Sequence, residues 1–114
     1  MLKQYRQGDV LIEVVKTAIP KGAVELTMTD RVVLALGEVT GHAHAIYPLE
    51  QTRTLPAKLW DAGAERFLQV LERCSVQHEE HAPIMLEPGV YRVSKFGAGT
   101  QREYSPAELR SVAD

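Results

Sequence analysis

Only one cysteine, Cys74, stands in the 114-residue chain, so no disulfide can close within it and the fold must rest on buried apolar surface. A reducing, cytoplasmic setting is the matching expectation. No apolar run approaches the roughly 18 residues a membrane helix needs, and residues 1–9 lack the apolar segment of a secretory leader. Neither sign of charge dominates. Against 15 Asp and Glu there are 13 Lys and Arg, a net charge of -2 that gives no strong case for a nucleic-acid partner. With 45% hydrophobic and 25% charged residues, the chain reads as a soluble globular protein, and its length fits one domain over residues 1–114. Histidine is scarce too, but its placement is unusual.

The four histidines come as two pairs, His42 and His44 in Gly-His-Ala-His, and His78 and His81 in His-Glu-Glu-His. Along a strand, side chains alternate faces, so His42 and His44 share one face while Ala43 and Ala45 share the other. Their Cα atoms then stand roughly 6.5–7 Å apart, close enough for both rings to converge on one ion through bonds of about 2.0–2.1 Å. His78 and His81 are three residues apart and would point to opposite faces of a regular strand. Sharing a site requires a bulge or turn between them, for which Pro83 supplies a break. Glu79 and Glu80 are candidate additional ligands, or carboxylates that orient a ligating imidazole through its second nitrogen. His-Glu-Glu-His lacks the i, i+4 spacing of the helical zinc-protease motif.

Gln7-Gly8-Asp9 predicts a turn feeding a strand at 10–15, and residues 23–27 predict a short one. A continuous apolar stretch at 31–36 predicts a strand buried on both faces, paired as a hairpin with 42–47 across Gly37 and Gly41. Residues 48–66 show no period. Over 67–79 helix and strand periods mix, but Val70, Cys74, Val76 and His78 fall on even positions and favour strand. After the turn at Glu87-Pro88-Gly89, residues 90–96 alternate as another strand. Ser105, Pro106 and Glu108 form a capping box that predicts a short C-terminal helix over 105–112. The expected fold is mainly β, a small antiparallel barrel or sandwich ending in that helix.

Four blocks, 5–12, 37–46, 77–93 and 101–106, resemble a family of small uncharacterised bacterial and phage-encoded proteins carrying these Gly-His-x-His and His-Glu-Glu-His motifs. That resemblance implies no activity. Gly37, His42, His44, Glu50 and Pro88-Gly89 are similar in kind to landmarks of the cupins, barrels that bind a divalent metal through an H-x-H pair, a Glu and a later His. The spacings differ, with four residues between Gly37 and His42, five between His44 and Glu50, and the later histidines ahead of Pro-Gly. The cupin likeness implies only an analogous site.

The leading expectation is a metal-binding domain with His42, His44, His78 and His81 as ligands. An imidazole set suits zinc, copper, iron or nickel without choosing among them. Three ligands and an open position would lower the pKa of a bound water and permit hydrolysis, with Glu80 or Glu79 accepting the proton. Arg102 offers a fork for a phosphate or carboxylate and Tyr104 a proton, so Glu80, Arg102 and Tyr104 are the candidate catalytic residues. The alternative is a metal-free binding module, such as a phage-associated accessory protein, whose histidines line a groove for a small molecule or protein. Cys74, in a strand, is expected to be a core residue and no nucleophile.

Overall fold

The computed structural model describes residues 3–37 and 41–95, which form ten strands and no helix. Among the described residues no helix is long and apolar enough to cross a membrane. The helix expected at 105–112, with Ser105 as its cap, lies outside the described residues, as do Arg102 and Tyr104.

The larger sheet is six-stranded and antiparallel, in the order β1 (Gln4–Gln7), β2 (Val10–Val15), β10 (Gly89–Lys95), β7 (Arg66–Val70), β6 (Ala57–Asp61) and β3 (Val24–Glu25). The turn at Gly8 and Asp9 joins β1 to β2, and Gly8 takes the left-handed φ of 61° that such a turn asks for. Alternation sets the buried face: Val10 and Ile12 of β2, Leu68 and Val70 of β7, and Tyr91 and Val93 of β10 all point into the core. On the other face Arg92 bonds Glu13 and Glu65.

Two hairpins complete the structure. In one, β4 (Val32–Leu36) pairs with β5 (Ala43–Ile46) as the sequence predicts, with a register shift between Val33 and Ala35. All four residues of β5 are buried. In the other, β8 (Cys74–Val76) pairs with β9 (Ile84–Leu86), and residues 77–83 form the loop between them. One apolar core draws on all three sheets, with Leu34 and Ile46 from the first hairpin and Cys74, Val76 and Leu86 from the second.

The barrel alternative is corrected by these strands, which close no barrel: β1 and β3 stand at opposite ends of the large sheet. The physical reason lies in β3, which has two residues after the Pro20 to Gly22 break, both exposed, too little to template a further partner. Strand is the outcome for most of 67–79, as β7 and β8 interrupted at Leu71, whose N–H turns to the carbonyl of Pro56. Val70, Cys74, Val76 and His78 are all buried, as are their neighbours Phe67 and Leu68 at the start of β7. The unreadable stretch 48–66 holds all of β6, where Leu59 is buried and Trp60 donates to Gln69.

Candidate metal centre

The two histidine pairs meet because of one pair of backbone hydrogen bonds. Ala45 N–H donates to Gln77 O at 2.9 Å, and Gln77 N–H donates to Ala45 O at 2.8 Å, an antiparallel bridge between β5 and the start of the β8–β9 loop. Each step back from Ala45 is then matched by a step forward from Gln77. His44 comes opposite His78, Ala43 opposite Glu79, and His42 opposite Glu80. The side chains follow that register. The rings of His44 and His78 lie 4.3 Å apart, Ala43 N–H donates to Glu79 Oε1 at 3.0 Å, and His42 Nδ1 stands 3.8 Å from Glu80 Oε2.

The bend at residues 79–81 carries His81 back, so its ring centroid lies 4.7 Å from that of His78 and 6.2 Å from that of His44. His42 meets the edge of His78 at 5.6 Å. All four imidazoles thus form one cluster with His78 at its centre. One side chain from β1 ties this cluster to the large sheet. The amide nitrogen of Gln7 donates to Val76 O at 3.0 Å and Ala82 O at 2.9 Å, while its Oε1 lies 2.8 Å from Nδ1 of His44. A flipped amide would set oxygen against two carbonyls, so Oε1 is the acceptor and Nδ1 of His44 carries the proton. In the neutral ring the lone pair of His44 is then on Nε2. In His78 the order is reversed: Nδ1 accepts from Glu80 N–H at 3.0 Å, which places the neutral ring's proton on Nε2.

Burial marks the same corner. Among the described residues the buried polar side chains are Gln7, His44, His78 and Lys95, and each belongs here. Lys95 donates to Leu36 O at 3.2 Å beside Asp9, next to Gly37, whose N–H bonds the carbonyl of His42. Nδ1 of His42 is buried without a hydrogen-bond partner among the described residues, and a carboxylate oxygen of Glu80 stands 3.8 Å from it. Glu79 is exposed, but its carboxyl is held below the ordinary range. The largest cause is the hydrogen bond from Ala43 N–H, then one from its own backbone, with His42 and His78 adding less.

One ligand atom from each of His42, His78 and Glu79 can be chosen so that all three lie within 4.8 Å of one another. His44 sits behind this set, fully buried on Gln7, and His81 packs over the β1–β2 turn. Glu50, the residue similar to the cupin glutamate, lies elsewhere, in a groove with Thr29, Asp30 and Arg53. Gln7 was missed by sequence reasoning, because a glutamine beside a Gly-Asp turn looks like any solvated turn residue.

A family model described as a domain of unknown function (DUF8820) matches residues 6–95, which include every residue of this corner. No curated protein and no solved structure matches the chain.

Proposed function

We propose that this chain, which belongs to the DUF8820 domain family of unknown function, binds a divalent transition metal through His42, His78 and Glu79. The observation that carries this reading is the convergence of those three side chains at the buried polar corner. Tetrahedral ligand atoms at bond lengths of about 2.0–2.2 Å stand roughly 3.3–3.6 Å apart, so closing the set asks for shifts of about 1–1.5 Å. Two imidazoles and a carboxylate suit zinc, iron or nickel. Glu80 is then assigned to orient His42 through Nδ1, the common carboxylate–imidazole arrangement behind a metal ligand. Glu79 is exposed and His42 half-buried, so among the described residues one side of the set is open to a small molecule. Bound there, a divalent ion would act as a Lewis acid toward a carbonyl or phosphoryl group.

The metal-free reading is favoured by a different observation. His78 and His44 already have hydrogen-bonded Nδ1 atoms, so part of the cluster is satisfied as a structural network. Chelator-free purification followed by elemental analysis, then titration of stripped protein with zinc, cobalt and nickel, separates the two. Metal binding predicts about one ion per chain and thermal stabilisation that rises with free metal, lost in His42→Ala. Protein that carries no metal and gains no stability from any of the three ions overturns it.

A further inference from the structure

One hydrogen bond within the β8–β9 loop occupies a ring nitrogen of His78 that a metal would compete for. Nδ1 of His78 accepts from Glu80 N–H at 3.0 Å. To ligate through Nδ1, the ring must surrender that bond, because the same lone pair serves both. To ligate through Nε2, the neutral ring must move its proton to Nδ1, and a protonated Nδ1 cannot accept. Either route releases the Glu80 amide. His44 needs no such change: Gln7 already holds its proton on Nδ1 and its lone pair on Nε2.

We propose that ion binding by His78 and the Glu80 N–H bond exclude one another, so that loading the site reorganises the bend at residues 79–81 and its packing on the β1–β2 turn. This inference rests on the metal reading above. The link to the turn is steric. An atom added at the Cβ position of Gly8 would lie 2.8 Å from Nε2 of His81, so the ring sits directly over that backbone. The anchors on either side of the bend do not move with it. Val76 O and Ala82 O remain fixed by the Gln7 amide, and Gln77 by its bridge to Ala45. The rearrangement is therefore confined to residues 78–81, and its outward sign is the displacement of His81 from Gly8.

The test uses the metal-free protein, labelled with 15N, and zinc alone as the probe. Before zinc, the imidazole spectra should show His44 protonated on Nδ1 and His78 on Nε2. With zinc, the His42 and His78 ring nitrogens should shift, the Glu80 amide should exchange roughly tenfold faster, and the Gly8 amide should change its chemical shift. The Gln77 and Ala45 amides should keep their protection. Zinc shifts at His42 and His78 with an unchanged Glu80 amide would overturn the exclusion while leaving metal binding standing. No histidine response to zinc would overturn the metal reading and this inference together. A Gly8→Ala variant gives an independent arm. Its added methyl disfavours the present seat of His81, so it should weaken the Glu80 hydrogen bond in the metal-free state and leave zinc affinity equal or higher. A clear fall in affinity, with the fold intact by its amide spectrum, would count against the coupling.

Discussion

The six-stranded sheet and the histidine corner are both buried, yet they are held by different physics. In the sheet, Ile12, Leu59, Leu68 and Tyr91 pack as an apolar face drawn from four strands, and any one of them is a volume element among many. At the corner, Gln7, His44 and His78 depend on named atoms, and the three bonds of one amide join β1, β5 and the β8–β9 loop. Apolar burial tolerates approximate fit, whereas a buried polar group must find its partner or lose about 1–3 kcal/mol. The corner is therefore the place where small changes alter chemistry, and the sheet the place where they alter stability.

Leu68→Ala should give the largest loss of stability, about 2–5 kcal/mol, because the side chain is fully buried between β6 and β10. Denaturant midpoints measure it. If the two regions are separable, zinc titration of the folded variant should match the parent chain.

Gln7→Leu follows, with a loss of about 2–3 kcal/mol despite a similar volume, since Val76 O, Ala82 O and Nδ1 of His44 all lose their partner. Unlike Leu68→Ala, it should also weaken zinc binding. A neutral effect on both measurements would show that the corner behaves like ordinary core.

Cys74 tests the apolar side. Burial pushes its thiol from 9.0 up to about 11, so between those values the unfolded chain has released a proton that the native chain keeps. Stability should fall by about 1–2 kcal/mol as pH rises through that window, and Cys74→Ala should flatten the slope relative to the parent. Native protein should react slowly with a bulky thiol reagent at neutral pH. Fast labelling would mean that the core opens at β8.

His42→Ala should have the smallest effect on stability, within about 0.5 kcal/mol, because the ring is half-buried and its Nδ1 has no hydrogen-bond partner among the described residues. Its effect on zinc affinity should be the reverse in rank, greater than the about 10–100-fold typical of changes behind a ligand. A variant that keeps both stability and zinc response would remove His42 from the site.

The local rules of the chain were enough to state several elements in advance. Short apolar runs, period-2 alternation and turn residues placed β2, the β4–β5 hairpin and β10, because those preferences act over a few residues and are written in them. They also marked two histidine pairs as worth attention. Residues 48–66 stayed opaque because β6 is ordered by its neighbours β7 and β3 rather than by a pattern of its own. For 78–81 the same rules said only that a turn was needed.

Tertiary structure alone decided which residues meet. Nothing near His44 or His78 announces that Ala45 will bridge Gln77, yet that register sets His44 against His78, Glu79 against Ala43 and Glu80 against His42. Nor could sequence show that Gln7, remote in the chain, would settle which nitrogen of His44 keeps its proton. Residue types and short spacings therefore determined that strands and imidazoles would be present. Their meeting point, and the atoms each ring can offer there, were decided by hydrogen bonds between segments that no local pattern connects.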